Sequence, residues 1–272
     1  MAVSSQRRFN LGWVPDLPDH RDLMYSTPLQ HLQQLPASVD LRPHISFAPY
    51  DQGRIGSCTA NAIAAAVQFD RIKMSQAPDF TPSRLFIYYN ERAMEHHVPS
   101  DAGAQIRDGI KSVAKLGACK ETTWPYDDTP ADPNTELFPA GAKPAQKPPA
   151  AAYHEAEIYR AVSYLRVQQS LAQMKGCLAQ GFPFVLGFTV YTSMWDAGGN
   201  PVTVLPMPSG GDSVAGGHAV LVVGYDDAKQ QFIIRNSWGP DVQDHGHFYM
   251  PYAYATDPHL AQDFWTVRGM TH

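Results

Sequence analysis

"DQGRIGSCTANAIAAAVQFD", residues 51–70, sets a cysteine where a glycine-containing turn passes into a run of alanines and branched apolar residues. The run predicts a helix beginning near Ser57, with Ile63, Ala66, Val67 and Phe69 on its apolar side. Cys58 then stands at a helix N-terminus, where unpaired backbone N–H groups and the helix dipole favour a thiolate. The segment alone does not decide the matter, because free cysteine is among the most buried residue types and a small apolar plug fits the same place.

A second stretch supplies what a reactive thiol needs. In "GGHAVLVVGYDDAKQQFIIRNSWG", residues 216–239, His218 heads an apolar strand and Asn236 ends the next one. A hairpin folds the two side chains together, and with Cys58 they form a nucleophile, a base and a residue that orients the base. Packing alone does not call for a histidine at the head of a buried strand beside an Asn-Ser-Trp-Gly turn.

The rest of the chain bounds the reading. Its 272 residues, 44% hydrophobic and 17% charged, can bury a substantial core. The formal charge of −5 is spread without long runs of either sign, so nucleic acid and anionic membranes are not expected partners. No stretch reads as a secretory signal or a membrane span. Three cysteines, Cys58, Cys119 and Cys177, do not make a disulfide framework, and a reducing, cytoplasmic setting with free thiols is the expectation. Cys119 and Cys177 read as buried side chains, His96-His97 as an exposed polar loop, and Asp226-Asp227 as a hairpin turn.

Organisation changes along the chain. Residues 11–36, rich in Pro and Asp, read as an extended arm. A second helix follows Thr81 as N-cap and Pro82 as first helical residue, and a third stops at Gly117. The Pro/Ala stretch 138–153 reads as a linker and domain boundary. Beyond it, "LRVQQSLAQMKGCLAQG" reads as helix, followed by strand-like runs "PFVLGFTVY", "HAVLVVGYD", "QFIIRNS" and "HFYM". Helices first and strands later imply an α+β protein with two lobes.

Gln52, six residues before Cys58, together with "GGHAV" and "NSWG", resembles the papain-like cysteine peptidases, family C1, over about residues 35–265. The resemblance implies a two-lobed fold: a helical lobe over about residues 49–140 and a β-rich lobe over about residues 153–272, with the active site in the cleft between them. It implies hydrolysis of peptide bonds through a Cys-His-Asn triad and an acyl-enzyme, acting on peptide or protein substrates with no metal or organic cofactor. Cys58 would be the nucleophile, His218 the base that forms an ion pair with it, and Asn236 the holder of the imidazole. Trp238 would cover that hydrogen bond, and Gln52 with the Cys58 amide would form the oxyanion hole. Gly103, Gly217 and Trp238 would line the substrate. The sequence Ile55-Gly56-Ser57-Cys58-Thr59 departs from the family's Cys-Gly-Ser-Cys-Trp, lacking the upstream half-cystine and the tryptophan. Two other readings use the same residues: a thiol acyltransferase or amidase, and a catalytically silent peptide-binding protein.

"LPASVDLRP" resembles a mature papain-like N-terminus, which leaves residues 1–34 as an extension and possible short prosegment. Trp13, Leu17, Leu23 and Met24 offer apolar anchors, and Pro15, Pro18 and Pro28 stiffen it. The expectation is an arm lying near the cleft and limiting access to Cys58.

Overall fold

A computed structural model describes residues 10–271, so residues 1–9 of the expected extension lie outside the described residues. At its centre is the long helix begun by Cys58. Numbered in chain order after the short arm helix α1 (Leu29–Leu32), this is α2 (Cys58–Lys73). It is buried on every side from Cys58 to Arg71, not along one stripe. The alanines explain this, because their small side chains let other elements approach all round.

Helices α3 (Arg84–Met94) and α4 (Ile106–Leu116) pack against α2 to make the helical lobe. The N-cap of α3 is Ser83, whose hydroxyl accepts from the Phe86 amide at 3.1 Å. Thr81 and Pro82 fall before the helix, where Pro82 bridges to Lys120. Gly117 ends α4 at φ 85°, in the left-handed region where glycine costs least.

The other face of α2 meets an eight-stranded sheet. Its strands are β2 (Met24–Tyr25), β3 (Ser38–Asp40), β5 (Ala161–Val167), β6 (Phe184–Tyr191), β7 (Val214–Asp226), β8 (Gln231–Arg235), β9 (His247–Pro251) and β10 (Ala261–Met270). The order is β2-β5-β10-β6-β7-β8-β9, with β3 added to β7. Helices α6 (Leu171–Ala179) and α7 (Tyr252–Thr256) pack on it. The segment from Leu165 to Val167 is the end of β5, not the start of a helix, because Leu165 and Arg166 pair antiparallel with β10 and Val167 pairs in parallel with β2.

Residues 138–153 are not a free linker. They contain part of helix α5 (Ala150–Ala156) and coat α3: Arg92 donates to the Pro144 carbonyl at 2.5 Å, and the Tyr153 hydroxyl to Asn90 Oδ1 at 2.9 Å. Ala152 and Ala156 are buried.

The arm crosses both lobes. Strand β1 (Trp13–Val14) pairs in parallel with β4 (Ala104–Gln105) in the helical lobe, and β2 pairs in parallel with β5 in the sheet. Of the four expected anchors only Trp13 is buried; Leu17, Leu23 and Met24 face solvent. Polar groups hold the arm instead. Arg107 Nη2 meets Asp22 at 2.6 Å, Trp265 Nε1 donates to Asp16 at 2.9 Å, and Asp263 accepts from the Asp16 amide at 2.8 Å.

Candidate active site

The turn that delivers Cys58 is fixed before the helix begins. The Gly56 amide donates to Asp101 at 2.9 Å, Ser57 Oγ shares a hydrogen bond of 2.5 Å with the Tyr126 hydroxyl, and Asn61 Nδ2 donates to the Ser57 carbonyl at 2.9 Å. Cys58 is the first residue of α2 and is completely buried, with the backbone of Ala219, Gly12 and Thr59 near its thiol. Ala219 follows His218 on β7, so the strand from the β-rich lobe meets the helix from the other lobe at this point. Thr59, which replaces the family's tryptophan, turns away and donates to buried Glu91 at 2.6 Å.

His218 Nε2 is 2.9 Å from Asn236 Oδ1. That bond makes Nε2 the protonated nitrogen, because an amide oxygen can only accept. Nδ1 is buried and has no hydrogen-bond partner, so its lone pair is the ring atom left for a thiol proton. Trp238 lies over the imidazole with ring centroids 4.9 Å apart and an interplanar angle of 24°. Its indole thus stands against the His218 ring, in the covering place, rather than in the row of glycines that meets the arm.

Asn236 could present either its oxygen or its nitrogen to the ring. Gln243 decides: it accepts from Asn236 Nδ2 at 2.8 Å and is itself held by donating to the Val202 carbonyl at 2.8 Å. The Ser237 amide donates to Asn236 Oδ1 at 2.8 Å and fixes the same orientation. Gln243 belongs to no motif visible in the sequence, since its role depends on a loop returning to the end of β8.

Gln52 is buried, and Ser237 Oγ donates to its Oε1 at 2.7 Å, which leaves Nε2 as donor toward the cleft. Nε2 donates to the Asn10 carbonyl at 2.9 Å and to the Ile55 carbonyl at 3.1 Å. An oxygen of the arm therefore rests where an oxyanion would be received.

The arm then follows the cleft. Gly12 N donates to Gly217 O at 2.9 Å, and Gly12 O accepts from the Ala104 amide at 2.8 Å. A Cβ on Gly103 would come within 2.0 Å of the Gly12 carbonyl, and one on Gly217 within 2.3 Å of the Trp13 carbonyl. Both expected substrate-lining glycines thus lie against arm backbone.

Burial governs the protonation states. It pushes the Cys58 thiol up to about 12, a rise that the nearby amides only partly offset, and it lowers His218 to about 4 although the bond to Asn236 works the other way. With the arm in place, neutral thiol and neutral imidazole are favoured over the ion pair that the family resemblance implies. Cys119 is likewise pushed up to about 12 by burial, and burial raises Cys177.

The family model for papain family cysteine proteases matches residues 35–263, and the chain belongs to that family. It is a papain-like cysteine protease, a hydrolase, with the α+β fold of that group. The crystal structure of xylellain, a cysteine protease from Xylella fastidiosa, is 51% identical, covers 98% of this chain and 99% of its own, and superposes with a TM-score of 0.92. An uncharacterized peptidase C1-like protein, L477, of Acanthamoeba polyphaga mimivirus is 36% identical over 96% of this chain and 88% of its own length. Procathepsin B S9 from Trypanosoma congolense shares the fold at 17% identity and a TM-score of 0.72, over 95% of this chain and 86% of its own. Among the described residues no helix is long and apolar enough to cross a membrane.

Proposed function

We propose that the protein cleaves peptide bonds by nucleophilic catalysis, with Cys58 as nucleophile, His218 as base and Asn236 as the residue that orients the imidazole. The observation that carries this reading is the pair His218–Asn236, whose bond through Nε2 leaves Nδ1 open on strand β7, which packs against the helix that Cys58 begins. With substrate bound and the arm displaced, Nδ1 takes the thiol proton as sulfur attacks the peptide carbonyl. The Gln52 amide and the Cys58 backbone N–H receive the developing oxyanion. His218 then gives its proton to the departing amine, leaving an acyl-enzyme, and water activated by the same ring releases the acid.

The arm makes the described form latent for two physical reasons. It fills the places a substrate backbone would take, with the Asn10 carbonyl on Gln52 Nε2 and the Gly12 amide on the Gly217 carbonyl. It also excludes water from Cys58 and His218, which suppresses the charge separation that catalysis needs. Residues 35–272 form the peptidase domain in this reading, and residues 1–34 the regulatory extension.

The experiment is to mix the protein with a chromogenic ester of a blocked amino acid and follow product release on a stopped-flow instrument. A burst equal to the enzyme concentration, with a mass increase of one acyl group on the peptide carrying Cys58, supports the mechanism. An acyl group on any residue other than Cys58, or hydrolysis undiminished in Cys58→Ala, contradicts it. A transferase or amidase would give the same burst but would leave a library of linear peptides uncut.

A further inference from the structure

Gly12 of the arm is gripped by backbone from two sides. A Cβ on Gly12 would fall 1.9 Å from the Gly56 carbonyl oxygen, and a Cβ on Gly103 would fall 2.0 Å from the Gly12 carbonyl oxygen. The gap between these two walls is one bare main chain wide. Gly56 belongs to the turn that starts α2, two residues before Cys58, whereas Gly103 and Ala104 come from the segment between α3 and α4. The walls are far apart in the chain, so their separation has to be set by contacts.

One carboxylate ties the walls together. Asp101, two residues before Gly103, accepts the Gly56 amide on both oxygens, at 2.9 Å to Oδ1 and 3.0 Å to Oδ2, and its Oδ1 also accepts the Tyr88 hydroxyl. Helix α3 aims this group. Tyr88, Glu91 and Arg92 share one buried face of that helix, because residues three and four apart are neighbours on its surface. Arg92 donates to the Val98 carbonyl at 2.8 Å and the Ser100 carbonyl at 2.9 Å, which fixes the chain just ahead of Asp101. Glu91 holds Thr59, the residue after the nucleophile, on the other wall. The Asp101 amide donates to the Glu136 carbonyl at 2.8 Å, so its own backbone is anchored as well. Hydrogen bonds to an ionised acceptor are the strong and directional ones, and they give this clasp its stiffness.

We infer that Asp101 is a positioning residue for the peptidase reaction proposed above: it sets the gap between the Cys58 turn and the wall at Gly103, so that a substrate backbone lying along that wall meets the sulfur and the Gln52 amide in register. The inference rests on that reaction. Asp101 bonds to Gly56 and Tyr88, and so acts through the turn and not on the reacting atoms. Without its carboxylate the Gly56 amide loses its acceptor and the walls are free to part. A peptide still lies along Gly103, but its carbonyl carbon is displaced from the sulfur. A misplacement of about 1 Å costs on the order of a hundredfold in rate. Binding and turnover therefore separate, with kcat falling and KM holding.

The test is made in the full chain carrying Trp13→Ala, which removes the arm's buried anchor. It uses a blocked peptidyl aminocoumarin substrate and, separately, iodoacetamide, a reagent too small to lie along the wall. Adding Asp101→Ala should lower kcat by about tenfold to a hundredfold, while KM and the rate of Cys58 alkylation stay close to those of Trp13→Ala alone. Asp101→Asn keeps an oxygen for the Gly56 amide and should lose less. Tyr88→Phe keeps the ring and the whole carboxylate, and should lose less again with the same pattern; these two variants carry the test if Asp101→Ala does not fold. An unchanged kcat, a loss confined to KM, or an equal fall in kcat and in alkylation would each overturn the inference, the last because it would place Asp101 in support of the thiol and not of the gap. Failure of Trp13→Ala alone to cleave any linear peptide would remove the peptidase reading and this inference with it.

Discussion

Replacing Trp13 by alanine separates a gate from a mere brace. The indole is 7% exposed and rests against the backbone of Gly187 and Gly217 with its N–H on Asp263. Truncating a tryptophan buried to this degree costs about 3–5 kcal/mol. Little of that loss should reach the global fold, because β1 is two residues long and pairs only with the two residues of β4. The cost falls on docking, and at 1.4 kcal/mol per factor of ten it raises the undocked fraction by roughly a hundredfold to a few thousandfold. The assay is the second-order rate constant for alkylation of Cys58 by iodoacetamide, together with peptide hydrolysis and thermal melting. Both rates should rise until the undocked form predominates, with the melting temperature nearly unchanged. Unchanged alkylation and hydrolysis with a lowered melting temperature would mean that the arm is structural cladding and not a gate.

Gln52→Ala, measured in the background of Trp13→Ala to remove the arm's influence, should lower kcat by about a hundredfold to a thousandfold with the fold intact, as loss of one oxyanion donor does; unchanged turnover would exclude that role. Asn236→Ala should cost less, since Trp238 still holds the imidazole by stacking, and Gln243→Ala less again. The arm should also respond to pH. Burial and the adjacent Asp263 raise Asp16 to about 6 in the docked form, against the formation of hydrogen bonds from Arg107 and Trp265, while Arg107, Arg166 and Asp22 supply the surrounding charge. A carboxyl whose docked pKa is raised binds its proton more tightly when docked, so the docked state is favoured fully below the free value of 3.8 and loses that contribution as pH rises through about 6. Alkylation of Cys58, corrected for thiol ionisation with a free thiol of matched pKa, should therefore accelerate between pH 4.5 and about 7, and Asp16→Asn should flatten that rise.

The main catalytic candidates were legible because their signals are local. Cys58 follows a turn that must end before a helix can start, and His218 and Asn236 sit at the ends of neighbouring apolar strands. The glycines were legible through resemblance, and their reason becomes physical once Gly12 is seen pressed against Gly103. Other features depend on distant chain segments. Strand β10 carries Asp263 to the cleft from near the C-terminal end of the described chain, and nothing beside residue 263 announces its partner at residue 13. The arm misled in an instructive way. Its exposed Leu17, Leu23 and Met24 suggested apolar docking, whereas Asp16 and Asp22 do the fastening through two arginines on other elements. Residues 138–153 looked like a linker because proline breaks regular periodicity, yet proline and alanine suit a thin coat on α3, with one carbonyl offered to Arg92.

Whether Cys58 is the reactive thiol of a triad lying beneath the arm is decided by labelling with an epoxysuccinyl peptide followed by digestion and mass spectrometry. Full-length protein and Trp13→Ala would be sampled over the same time course. One adduct per chain is expected, on Cys58, forming faster in Trp13→Ala, with Cys119 and Cys177 unlabelled and the adduct absent from His218→Ala. Labelling of Cys119 or Cys177 at the rate of Cys58, or undiminished labelling of Cys58 in His218→Ala, would contradict that role for Cys58.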